Sequence, residues 1–470
     1  MKKFTYFSSL AGLAALMLPL TALAAEEGAA APKIDSGDTT FVLISAALVL
    51  LMTPGLALFY GGMSRSKNVL NTIMQSFFTI AIISVQWVLF GYTLAFGPDV
   101  SHLIGSFDWL GLKTVTGQPF ADYSPTIPHY AFMIFQGMFA VITPALISGA
   151  FAERMRFPFF AAFVLLWSTV VYDPVAHWVW GVGGWMRELG ILDFAGGTVV
   201  HILSGVSGLV IALMIGKRKG LGSQTMVPHH LPMTVLGASL LWFGWFGFNS
   251  GSALAANDIA ATAFVTTHTA AAAATLSWVV AEWLIHGKPT VLRAVSGCVA
   301  GLVAITPGAG FVSPLSSVLI GLVAGVLCFY FVSVLKTKLG YDDALDAFGV
   351  HGVGGTWGAL SVGIFASKAV NEAGADGLLA GNAEQLYTQA IGVGVSWAFA
   401  AVMTFLIIKF LSCFLQLRVD EAQEVQGLDL VEHGERGYAS DNMIAGAPII
   451  LGGEIATSAT SAAPSLADNR

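Results

Sequence analysis

Charged side chains are scarce. Only 21 Lys or Arg and 28 Asp or Glu occur among 470 residues, 10% of the chain, where a soluble domain carries about 25%. So few charges cannot cover the surface of the soluble domains that a chain of this length would form. Cysteine is scarcer still. Cys298, Cys328 and Cys413 stand apart in apolar runs; three scattered thiols make neither a disulfide framework nor a metal site and read as small buried hydrophobes. No basic stretch is interleaved with aromatics, which argues against nucleic acid as a partner. A Walker A motif is lacking, so ATP-driven pumping has no support. Nucleophile-elbow and metalloprotease motifs are lacking too, and so is the Arg-rich spacing of a voltage sensor. The chain reads as a non-enzyme with no cofactor.

Apolar residues fill the space that charge leaves. They make up 56% of the chain, with a mean hydropathy of +0.75 and 53 glycines. Such content excludes disorder, and small residues let membrane helices approach closely. The composition predicts an all-α polytopic membrane protein. Eleven apolar segments are expected, at about 39–62, 69–96, 128–150, 157–178, 195–216, 228–250, 258–285, 291–308, 313–335, 344–367 and 385–416. They must be helices, because lipid leaves no partner for open backbone, and the alternating strands of a membrane barrel are absent. Ahead of them, Lys2 and Lys3 precede an apolar run and an Ala22-Leu23-Ala24 site. Residues 1–24 therefore read as a cleaved signal peptide, followed by an extracytoplasmic segment over 25–38. The membrane domain covers 39–416, a cytoplasmic tail 417–440 and a disordered extension 441–470.

Orientation follows from the basic residues. With the N-terminus outside, the inner connections and tail hold Arg65, Lys67, Arg154, Arg156, Lys217, Arg218, Lys219 and further cations, whereas the outer ones hold only Lys33, Lys113, Arg187 and Lys368. The bias fits eleven spans with the C-terminus inside. Segment five carries GGTVVHILSGVSG (196–208) and segment ten FGVHGVGGTWG (348–358), each with one His among small residues. Since five is odd, the two enter from opposite sides, which predicts two inverted five-helix repeats plus an eleventh strapping helix.

His201 and His351 lie about six and seven residues into their segments, roughly 9 Å or more from the ends. A lone intramembrane His reads best as a structural hydrogen-bonding residue. Two at matching places read as a facing pair able to pass hydrogen bonds or a proton. Zinc is not expected, since no further ligands stand at a workable spacing. Trp180, in AHWVWG (176–181), is placed at an outer entrance, where its ring face can attract a cation. Phe139 and Phe248 have small neighbours that let a ring close a narrow conduit, and Ser252 offers a hydroxyl there. Asp193 precedes segment five and reads first as its N-cap. A conduit of this kind suits a small neutral hydrogen-bonding molecule better than a bare metal cation.

AHWVWG, DFAGGTVVH (193–201), GWFGFNSGS (244–252), FGVHGVGG (348–355) and GLDLVEHGERGY (427–438) together resemble the ammonium transporter family, which includes the Rhesus-type proteins. The resemblance covers roughly 39–440. It implies eleven-helix subunits in a homotrimer, each with its own pore, in the cytoplasmic (inner) membrane and serving nitrogen uptake. By resemblance, Phe139, Trp180 and Ser252 form an outer recruitment site, with Thr306 as a further vestibule residue. Phe139 and Phe248 form a gate with Phe135 close by, His201 and His351 are the twin pore histidines, and Asp193 is an acid needed for function. Ammonium, with methylammonium as its analogue, is then recruited outside and loses its proton near the gate, and ammonia passes the imidazoles. Burial favours the neutral amine. An ammonium sensor acting through the tail, with a PII-type signal protein as partner, is the alternative, and a water or carbon dioxide pore a third reading.

Overall fold

The computed structural model describes residues 33–438 and two short strands, Ile450–Leu451 and Glu454–Ile455. The expected signal peptide and most of the expected extension lie outside the described residues. Helices dominate. Among the described residues, nine are long and apolar enough to cross a membrane: α1 (Ser36–Met63), α2 (Ser66–Phe96), α3 (His129–Phe151), α4 (Phe157–Glu188, interrupted at 181–184), α5 (Gly197–Ile215), α6 (Leu231–Ala253), α7 (Asp258–His286), α9 (Pro314–Leu339) and α11 (Ala383–Leu411). Two shorter segments complete the series: α8 (Val291–Ile305) and α10, a π-helical turn at Phe348–Gly352 running into Val353–Phe365. Two short tail helices follow, α12 (Glu421–Gln426) and α13 (Leu428–His433).

Connections meet alternately at two ends of the bundle. At one end Arg65 pairs with Glu153, Arg154 reaches the Gly216 and Asp342 carbonyls, and Arg293 pairs with Asp346. At the other, the Asp35 N–H donates to Thr126, Phe194 to Pro307 and Ser367 to Phe311. The two short segments obey the same alternation. α8 runs from Arg293, at the Arg154 end, to a turn whose Pro307 belongs to the Trp180 end; α9 returns, and α10 runs the same way as α8, from beside Asp346 to the Ser367–Phe311 contact. Arg65, Arg154, Arg218, Arg293 and Lys336 thus lie together at one end, each paired with an acidic side chain.

α3 is the most enclosed span, with 89% of its apolar window inside the bundle, against 33% for α2. Glycine sets the closest helix contacts. α5 crosses α10 so tightly that a Cβ on Gly205 would collide with the Gly352 backbone, and one on Gly355 would come within 2.9 Å of the His201 Cβ. Gly355 is offset from Gly205 by the same interval that separates His351 from His201, so each segment lays its glycine on the other's histidine-bearing turn. That reciprocity is the mark of an inverted pair.

Candidate functional site

Each histidine sits on a π-helical turn, Gly197–Ile202 in α5 and Phe348–Gly352 in α10. Such turns are rare and gather at functional sites. Each turn opens under a carboxylate that accepts its free backbone N–H groups. Asp193 accepts from the Gly196, Gly197, Thr198 and Val199 amides at 2.6–3.3 Å and from the Thr198 hydroxyl. Asp343 accepts from Ala347, Phe348 and Gly349 at 2.8–3.4 Å. Aspartate and histidine stand eight residues apart in both segments. The backbone is thereby fixed where the imidazoles leave it.

The two imidazoles meet. Nδ1 of His201 lies 3.3 Å from Nδ1 of His351, with the rings 20° from parallel. A hydrogen bond between two like nitrogens requires one to donate and the other to accept. Each Nε2 then takes the opposite role, so the pair offers an acceptor at one face and a donor at the other. Nε2 of His201 has no protein partner. Trp245 stacks on His201 at 5.4 Å, and its indole N–H donates to Thr306 Oγ1 at 2.9 Å.

A cavity of about 220 Å³ opens above them, lined by Phe139, Trp180, Ser252, Gln136 and Arg187 among others. Phe139 closes its floor. The ring packs on Phe248 at 4.2 Å, meets Trp180 edge-on at 6.0 Å and is backed by Phe135 at 5.0 Å. Beyond Phe248 lie two narrow cavities of about 10 Å³ each, roughly one water's worth of space. They share Phe59, Val299 and His351, and the second ends against Tyr60, Ser296 and Asp346. Apart from the imidazoles the first is lined by Met, Leu, Ile, Val and aromatic side chains.

Most expected residues converge on this axis, and two stand differently. Thr306 is fully buried and does not line the outer cavity; it holds Trp245 from behind, because its own hydroxyl donates to the Leu302 carbonyl. Phe135 is likewise buried and borders none of the three cavities, supporting the Phe139 ring instead. Asp193 caps, and its backbone carbonyl also accepts from the Trp180 indole at 2.9 Å. Sequence reasoning missed Asp343, although the repeated eight-residue Asp-to-His spacing was there to read. It missed Trp245 and Gln136 as well. Gln136 Oε1 is buried beside the outer cavity without a partner.

The end of the conduit away from Trp180 is charged. Asp346, in a left-handed backbone conformation, pairs with Lys336 and, at 3.4 Å, with Arg293. Burial pushes Asp343 beside it up to about 6; Lys336 opposes that shift and Asp346 adds to it.

A helical membrane bundle with an aromatic-floored outer cavity leading to a histidine-lined conduit defines a channel-like transporter. The comparisons give it a family. A sequence model of the Ammonium Transporter Family matches residues 40–438. The ammonium transporter of Bacillus subtilis (strain 168) is 59% identical over 406 residues, 86% of this chain and 99% of that one. Ammonium transporter Amt1 of Archaeoglobus fulgidus is 46% identical over 86% of this chain and all of its own length. Among solved structures, Mep2 of Saccharomyces cerevisiae superposes with a TM-score of 0.78 at 38% identity, covering 83% of this chain and 91% of that one. A protein described as a sensor Amt protein superposes with 0.77 at 32% identity, over 84% and 98%. The chain belongs to the Ammonium Transporter Family.

Proposed function

We propose that this protein takes up ammonium across the cytoplasmic membrane and conducts it inward as ammonia. One observation carries the reading: two touching imidazoles line an otherwise apolar conduit that lies beyond an aromatic outer cavity. Ammonium sheds water at the outer cavity, where the Phe139 and Trp180 rings attract a cation by about 0.5–2 kcal/mol and Ser252 offers a hydroxyl oxygen. The Ser252 hydroxyl donates to the Phe248 carbonyl at 2.9 Å, which leaves its lone pairs for an N–H donor. The conduit cannot hold the charge, since burying an unpaired ion costs many kcal/mol. Ammonium therefore gives up a proton to water of the outer cavity as it enters the Phe139–Phe248 gate. Ammonia, donor and acceptor at once, passes the two Nε2 groups and takes a proton from water at the end of the conduit beside Asp346. Potassium has no proton to lose and is rejected.

In this reading the Trp180 end faces outward, the Arg154 end and tail are cytoplasmic, all eleven segments cross the bilayer and three copies assemble. A signalling role through the tail is a second reading, favoured by how the tail sits. Asp429 accepts from the Asn71 N–H at 2.8 Å at the start of α2, and Glu432 from the Phe157 N–H at 3.0 Å at the start of α4. Uptake of radiolabelled methylammonium into proteoliposomes separates the two. Uptake saturable with ammonium and insensitive to potassium is expected; none would leave a sensor alone.

A further inference from the structure

A second buried polar group lies away from the conduit. Asp173 in α4 is fully buried, and Gln86 Nε2 in α2 donates to its Oδ2 at 2.7 Å. The other Gln86 N–H points to Thr169 Oγ1 at 3.4 Å. That leaves two orphans, Asp173 Oδ1 and Gln86 Oε1, neither with any partner. No salt bridge reaches Asp173 among the described residues, and Gln86 is its one hydrogen-bond partner there. Local backbone is shaped for the pair. Gln86 directly precedes the π turn Trp87–Gly91, and Asp173 directly follows the π turn Ser168–Tyr172. At Gly91 a Cβ would collide with the Gln86 amide, so the glycine makes room for it.

An ionised Asp173 would be a lone anion at membrane depth with one oxygen unsolvated, beside a second unpartnered acceptor. Both features are costly. A single proton removes both. A carboxylic acid offers one acceptor and one donor, the complement of a primary amide. We propose that Asp173 is a permanently protonated acid whose Oδ1–H donates to Gln86 Oε1, closing a two-armed acid–amide pair between α2 and α4. Tyr172 and Ser168, the other polar groups on the adjoining turn, have unpartnered hydroxyls and carry no charge to alter this. One turn beyond Asp173, His177 bonds the Ala95 carbonyl and Asp99, which stand at the far end of α2 and just past it. Asp173 and His177 therefore stitch α4 to α2 beneath Trp180. Asp173 is a positioning residue for the wall of the outer cavity.

Infrared difference spectra of the purified full-length protein test this at about pH 8, where solvent-exposed carboxyls are ionised. Subtracting D173N from wild type should leave the carbonyl stretch of a neutral carboxyl, and Q86L should shift that band. Its absence from the wild type, or its indifference to Q86L, overturns the proposal. Stability gives an independent readout. Asparagine reproduces both arms without a proton, so D173N should keep the wild-type thermal midpoint and methylammonium uptake. D173L and Q86L should each lower the midpoint, and the Q86L/D173L double variant should lose less than their sum, since removing both partners strands neither. A D173N protein as unstable as D173L, or one that fails to fold, shows that the charge is needed and refutes the assignment.

Discussion

α5 and α10 use one device in two settings. In both, an aspartate caps a π turn and a histidine follows eight residues later. Around Asp193 the setting is aromatic: its carbonyl holds the Trp180 indole, which ties the cap to the outer cavity. Around Asp343 the setting is charged, with Asp346, Lys336 and Arg293 close by. The shared backbone device fixes where the imidazoles meet. The neighbours differ: aromatic rings border one side of the pair and charged side chains the other.

The sharpest way to break this symmetry is to remove one cap at a time. Asp193→Ala strands four amides and a hydroxyl, at roughly 1–3 kcal/mol for each buried group left unpaired. It should abolish methylammonium uptake and lower the thermal midpoint more than Asp343→Ala, which strands three amides. Equal losses would mean that the fourth amide and the Thr198 hydroxyl add nothing. Next comes Gly205→Ala, whose Cβ meets fixed backbone at Gly352. It should disrupt the helix crossing more than Gly208→Ala, whose nearest neighbour is a methyl group at 3.1 Å; the yields of folded protein on size-exclusion chromatography decide. Thr306→Val leaves the Trp245 N–H unpaired and should cost about 1–3 kcal/mol of stability, with uptake reduced through His201 rather than through the outer cavity. Affinity for methylammonium should stay while the maximal rate falls.

Acid should act mainly at the Arg154 end. Burial alone would raise Glu153, but Arg218 and Arg65 outweigh it and hold it below its ordinary 4.5. Arg154 and Arg218 do the same for Asp342, whose ordinary value is 3.8. Both acids bind protons more weakly folded than unfolded. Their contribution is complete above about pH 4.5 and drains away as pH falls below it. A thermal midpoint followed from pH 7 to pH 3.5 should hold to about pH 4.5 and drop below it, and Glu153→Gln should flatten the drop.

Much of this was legible in the sequence because membrane helices announce themselves by apolar length alone, and the basic residues sort the ends. The helical membrane fold and the convergence of Phe139, Phe248, His201 and His351 followed from hydropathy, resemblance and the matched histidines. Thr306 was not legible, because a threonine one turn from a glycine-rich loop reads the same whether its hydroxyl faces a cavity or an indole. Asp343 was hidden among Asp342 and Asp346, which the structure shows to be salt-bridge partners, and only its eight-residue spacing to His351, the same as Asp193 to His201, marked it as the cap. The Gln86–Asp173 pair depends on a contact between distant segments, which one sequence does not reveal.

Currents evoked by an ammonium pulse on solid-supported membranes, paired with methylammonium uptake in the presence of potassium, test the central claim most directly. With His201→Ala and His351→Ala as separate variants, selective ammonium transport should vanish in each. Full uptake that still ignores potassium in both would contradict an account in which the imidazole pair carries ammonia through.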